Sequence, residues 1–145
     1  MGARSVRFKV LLVEDEILIS EMVAEVLAEQ GFEVHAVGSA TEALCVLKAG
    51  TSIDVLFTDI NLGDGMDGVT LAMHARVLAP DLPVVFASGR WALLDGLADL
   101  PRSAVLRKPY SPHRAGVVVA QLLAAPGPQS REQMIESSGF VVEHI

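Results

Sequence analysis

The chain has 145 residues, enough to bury one core and too few for two ordinary domains. At 51% hydrophobic and 20% charged residues it lies far from the low-hydropathy, high-charge signature of disorder. Eleven basic against 18 acidic residues give a net charge of -7, which disfavours nucleic acid and anionic membrane surfaces, and no apolar run approaches the ~20 residues of a membrane span.

The first residues lack an apolar signal core followed by a cleavage site, so a cytoplasmic protein is expected. A myristoylation signal at Gly2 fails because Val6 stands where the motif wants Ser or Thr. Phe8 to Val13 is a nearly continuous apolar run that stops at Glu14, Asp15 and Glu16, the pattern of a strand buried on both faces. From Ile17 to Gln30 the residues Ile19, Met22, Val23, Val26 and Leu27 fall on one helical stripe, and Gly31 ends the helix. Glu33 to Val37 is a second strand. Ser39 and Glu42 have capping-box spacing for a helix to about Lys48, closed by Gly50. That helix carries Cys45, the single cysteine, which is expected to pack in the core as a small apolar thiol.

Ile53 to Thr58 is a third strand running into Asp59 and a loop with Gly63, Asp64, Gly65 and Asp67. A helix spans Gly68 to Leu78, with Asp67 at its start. Pro83 to Ala87 and Ala104 to Arg107 are the fourth and fifth strands. Between them Asp95, Gly96 and Asp99 interrupt Trp91 to Leu100, which is expected to be a poor or partly melted helix. Ser111 and Pro112 supply an N-cap and a first-turn proline for a last helix to Ala124. Alternation of this kind implies an α/β fold, a doubly wound parallel sheet of five strands covered on both faces. Residues 1–7 form an N-terminal extension, 8–125 the domain, and 126–145 a linker and C-terminal tail.

In such sheets ligands bind beyond the carboxyl ends of the strands. Glu14 and Asp15 follow the first strand, Asp59 ends the third, Ser88 the fourth and Lys108 the fifth. Three gathered carboxylates repel each other unless a cation offsets them, and hard oxygen ligands suit Mg2+. A carboxylate beside such an ion can attack phosphorus. Lys108 offers a mobile point charge for a phosphoryl oxygen, Ser88 a hydroxyl, and Gly89 an accessible backbone N–H. Glu16, Asp54, Asp64 and Asp67 are read as solvated turn acids. His35, His74, His113 and His144 lack metal-ligand spacing.

Val-Glu-Asp-Glu at 13–16, Asp-Val-Leu-Phe-Thr-Asp-Ile-Asn-Leu at 54–62, Phe-Ala-Ser-Gly at 86–89 and Lys-Pro-Tyr at 108–110 resemble the receiver domain of two-component response regulators over about Phe8 to Ala124. The resemblance implies a flavodoxin-like sheet of order 2-1-3-4-5 with Asp59 as phosphoacceptor. It implies Mg2+ held by Glu14, Asp15, Asp59 and the backbone carbonyl of Asn61. It further implies Ser88 as switch hydroxyl, Lys108 as phosphoryl-binding lysine, and a cis bond to Pro109. The partners would be a histidine kinase or phosphotransfer protein, or a small acyl phosphate, and a downstream protein. Such a domain is a phosphorylation switch and not a turnover enzyme, here with no output domain.

The chain departs from many receivers in having Val105, where the family often places an aromatic switch, and it resembles a subgroup with a Phe-Ala-Thr-Gly signature. Arg90, Trp91, Val105, Pro109 and Tyr110 form the candidate signalling surface, with the signal read through order in Trp91 to Leu100. The alternatives are a haloacid-dehalogenase phosphatase, which wants Asp-x-Asp where this chain has Asp59-Ile60-Asn61, and a degenerate receiver that only binds its partner.

Overall fold

The structure is a computed structural model that describes residues 7–63 and 65–124. Asp64, the tail and His144 fall outside the described residues, as does the side chain of Trp91. Five strands, β1 (Lys9–Val13), β2 (Glu33–Val37), β3 (Val55–Asp59), β4 (Val84–Ser88) and β5 (Ser103–Arg107), pair in parallel in the order β2-β1-β3-β4-β5. This is the predicted fold. Between them run α1 (Ile17–Glu29), α2 (Ala40–Lys48), α3 (Gly68–Leu78) and α4 (Trp91–Leu94), and α5 (Pro112–Ala124) follows β5.

Alternation along each strand sorts the core into two layers. Val10, Leu12, Val55, Phe57, Val85 and Ala87 pack under α1 and α5, with Val23, Leu27, Ala115, Val118 and Val119. Leu11, Val13, Leu56, Val84, Phe86 and Val105 face α2, α3 and α4, with Ala43, Leu71, Ala75 and Leu94. The central strands therefore read as continuous apolar runs because both their faces are covered.

The helix starts follow local chemistry. Ser39 Oγ accepts from Glu42 N at 3.1 Å, while Glu42 Oε1 accepts from Gly38 N at 2.8 Å, one residue earlier than a capping box requires. Asp67 Oδ1 accepts from Thr70 N at 2.8 Å, so Asp67 is an N-cap and not only a solvated acid. Ser111 Oγ accepts from Arg114 N at 3.1 Å. The interrupted segment is as short as its sequence implies: α4 stops after four residues, Gly96 turns at φ 81°, and Leu97–Asp99 make a single 3-10 turn.

Several expectations are corrected. Cys45 is exposed, because the inward stripe of α2 is Ala40, Ala43, Leu44 and Leu47, and Cys45 lies off it. Met22 is 54% exposed; α1 buries Val23 and Leu27, leaving Met22 beside an unfilled groove against Tyr110. Asp54 is half-buried and accepts from Lys9 N at 2.7 Å, so it anchors the start of β1.

Candidate functional site

Strand register sets the geometry at the carboxyl rim. Asp59 lies opposite Ala87 and Ser88 opposite Arg107, so the ends of β3, β4 and β5 fall in step. The loop after β1 is tied down by Glu14 N donating to Val37 O at 3.2 Å. Lys108 N donates to Ser88 O at 2.9 Å, which brings the lysine back over the rim before the cis Lys108–Pro109 bond.

The side chains meet as the sequence suggests. Lys108 Nζ lies 2.8 and 2.9 Å from the two Asp59 carboxylate oxygens and 3.4 Å from Glu14 Oε1. Glu14 Oε2 accepts from Glu16 N at 3.1 Å. Glu14 and Asp59 are buried, at 4% and 6% exposure, whereas Asp15 is exposed. One oxygen from each of Glu14, Asp15 and Asp59 lies within 4.8 Å of the other two. A cavity of about 360 Å³ opens on this cluster, walled by Asp15, Asp59, Asn61, Ser88, Gly89 and Lys108.

Burial raises the Asp59 carboxyl above its ordinary range, and Asp15 adds to the rise; the Lys108 hydrogen bond and charge oppose it without cancelling it. Burial likewise raises Glu14, offset in part by the Glu16 N–H. For Lys108, burial works downward, but the hydrogen bond and charge of Asp59, then of Glu14, prevail and hold the ammonium in its charged form. One ammonium thus faces three carboxylates, and the imbalance suits a divalent cation with hard oxygen ligands. The donor set fits Mg2+: Asp15 and Asp59 reach the cavity, and Glu14 places one oxygen within 4.8 Å of an oxygen from each.

Ser88 is buried, and its Oγ accepts from Arg90 N at 3.0 Å. Asn61 lines the cavity, with its side-chain Oδ1 accepting from Gly63 N at 3.2 Å. Within the candidate signalling surface, Arg90 and Pro109 are exposed, but Val105 is buried at 6% and packs in the layer containing Leu94 and Leu97. It is a core residue, because α4 and the 3-10 turn cover that face of β5. Tyr110 is half-buried, its ring 6.0 Å from that of Phe57 and tilted by 56°. Burial pushes its hydroxyl well above the usual range, with the Glu14 and Asp59 charges adding to the rise.

Sequence reasoning missed Gly68. Its N–H donates to Ile60 O at 2.8 Å, and a Cβ there would run into the Asp59 backbone carbonyl. The start of α3 can close on the Asp59 loop only with glycine at this position, and the Asp67-Gly68 pair signalled only a helix start. Glu16 and Gly63 also line the cavity unforeseen, and Arg90, expected only on the signalling surface, walls the site as well.

Comparison with known proteins agrees with this geometry. The response regulator receiver domain family matches residues 10–115. The chain is similar to the sensor kinase CckA of Brucella abortus, 33% identical over 118 residues, and to the nitrogen assimilation regulatory protein NtrX of Azorhizobium caulinodans, 31% identical over 117 residues. Each alignment covers 79% of this chain but only 12% and 26% of those longer proteins. A response regulator receiver protein from Sinorhizobium medicae has a structure similar to this one, with a TM-score of 0.75 and 35% identity over 82% of this chain and 96% of that one. Strand order, acidic rim and these likenesses agree, and the chain belongs to the response regulator receiver domain family.

Proposed function

We propose that this domain is a phosphorylation switch of two-component signalling that accepts one phosphoryl group on Asp59. The observation that carries the reading is Lys108 Nζ, held between Asp59 and Glu14 beside the exposed Asp15 at the mouth of an open cavity. Glu14, Asp15, Asp59 and the backbone carbonyl of Asn61 would hold Mg2+. Mg2+ bound there would offset the clustered charge and screen Asp59 from the phosphoryl oxygens.

An Asp59 oxygen attacks phosphorus in line with the leaving group. Lys108 transfers its contact from the carboxylate to a phosphoryl oxygen, and the Gly89 backbone N–H lies at the same cavity wall. Ser88 must turn its hydroxyl toward the new phosphoryl group. In doing so it releases Arg90 N, the N-cap residue of α4, so a one-turn helix loses the side-chain oxygen that holds its start. This gives the Trp91 to Leu100 region a physical route to report phosphorylation without an aromatic at Val105.

The phosphodonor would be a phosphohistidine on a histidine kinase or phosphotransfer protein. Ile17, Leu18 and Met22, at 71%, 74% and 54% exposure on α1 next to the cavity, offer it an apolar contact. A downstream protein would read the altered α4 region. The domain hydrolyses its own acyl phosphate once per cycle and is not a turnover enzyme. Family membership leaves the phosphatase alternative without support.

Intact-mass analysis with acetyl phosphate and Mg2+ tests the reading. Wild type should gain a single phosphoryl group and Asp59→Asn none; an unmodified wild type would leave only a binding module that works without phosphate.

A further inference from the structure

The two edges of the sheet are covered unequally. Ser103 to Leu106 of β5 are all buried, whereas β2, at the other edge, pairs only with β1 and has no fully buried residue. Over β2 the helices α1 and α2 leave a groove of about 550 Å³. Ala36 on β2, Val46 on α2 and Ile17 on α1 give it apolar walls, and Ile17 is 71% exposed. Exposed Asp15, Glu21 and Glu42 line it as well, and among the described residues no Lys, Arg or His does. Glu21 also opens a row that Glu25 and Glu29 continue along α1, each one turn from the last and all exposed. The helix carries no basic residue, and none of these three glutamates makes an ion pair with a described residue. Like charges at i, i+4 weaken a helix, and nothing in the fold compensates this row.

We propose that the groove between α1 and α2 docks a basic amphipathic helix of a partner protein. The apolar stripe of that helix covers Ala36, Val46 and Ile17, and its Lys or Arg residues at i, i+4 face Glu21 and Glu25. A small cation would answer the carboxylates and leave the apolar walls in water. Nucleic acid and anionic lipid are repelled by the same carboxylates. Charge also disfavours the two occupants that this chain could supply. Residues 129–145 carry Glu132, Glu136 and Glu143 against Arg131, and a second copy brings a net charge of -7. The groove lies on the other side of α1 from the one between Met22 and Tyr110, and the inference stands without Asp59 as phosphoacceptor.

Cys45, the single cysteine, is exposed and lines the groove, so it reports occupancy at this place and no other. The experiment reads its alkylation by neutral iodoacetamide as intact mass. The probes are a synthetic Leu/Lys amphipathic helix of about four turns, fluorescently tagged, and its Leu/Glu counterpart. The Lys peptide should slow alkylation at least about fivefold at saturation, and the Glu peptide should leave it unchanged. Glu21→Gln/Glu25→Gln should weaken the Lys peptide about tenfold at low salt, measured by anisotropy. Asp81→Asn/Asp95→Asn removes the same charge from exposed positions elsewhere and should weaken it no more than about twofold. The glutamate variant should melt no lower than wild type, since its like-charge pairs are relieved. Unchanged alkylation at every concentration of the Lys peptide, or equal weakening in the two variants, would overturn the proposal. So would protection of Cys45 by a peptide of residues 129–145, or by raising the protein concentration alone, which would assign the groove to the chain's own tail or to a second copy.

Discussion

The two ends of the same sheet each bury a basic side chain, in opposite ways. At the amino rim the Arg76 guanidinium, half-buried on α3, donates to Leu82 O at 3.0 Å, Arg102 O at 2.9 Å and Ser103 Oγ at 3.2 Å. Its partners are neutral, and they fasten the connection into β4 to the start of β5. Burial, with Arg102 nearby, lowers its pKa, yet a guanidinium remains charged. At the carboxyl rim Lys108 faces three carboxylates and satisfies only two of them directly. The first charge makes three hydrogen bonds to neutral acceptors and stabilises the fold. The second sits in an excess of negative charge that folding alone leaves unsettled.

The sharpest way to break this comparison is to remove Arg76. Arg76→Ala should destabilise the domain by about 3 kcal/mol, since hydrogen bonds from a charged, half-buried group are each worth about 1.5–3 kcal/mol. The folded fraction should still label on Asp59, as measured by denaturant melts beside intact mass. A loss below about 0.5 kcal/mol would show that the amino rim does not depend on this side chain. Mg2+ acts on the other end. At ~100 times its dissociation constant it should stabilise wild type by about 2.7 kcal/mol and Arg76→Ala by the same amount. An unchanged melting temperature at high Mg2+ would remove the metal from the site.

The smallest effect should be Asp59→Asn in metal-free buffer, a gain of about 1 kcal/mol from relief of desolvation and repulsion. Its pH dependence fixes the sign. Asp59 and Glu14 titrate above their ordinary values of 3.8 and 4.5, so over that window the folded state binds more protons than the unfolded one. Without metal, stability should therefore fall as pH rises from about 4 through the raised values, and the fall should be shallower in Asp59→Asn. A stability that rises over that window would mean that Lys108 overcompensates the acids.

Much of the carboxyl rim was legible beforehand because its signals are local. An apolar run that stops at Glu14 and Asp15, or at Asp59, marks a strand end and a polar side chain in one stroke. Parallel pairing then places all such ends together. The caps at Ser39, Asp67 and Ser111 and the broken α4 were equally local, depending on residues within one turn. The amino rim gave no such warning: Arg76 lies in an ordinary helical pattern, and its acceptors are backbone carbonyls that any sequence would supply.

The sequence by itself determined the order of the elements, the two-faced burial of the sheet and the residues at the strand ends, since these follow from hydrophobic period and chain connectivity. Only the tertiary structure decided how the elements approach one another. That approach requires Gly68 against the Asp59 carbonyl, buries Val105 beneath α4, leaves Cys45 and Met22 outside the core, and turns Arg90 into a wall of the site. Each of these depends on distances between segments remote in the chain, which no periodicity within a single segment can encode.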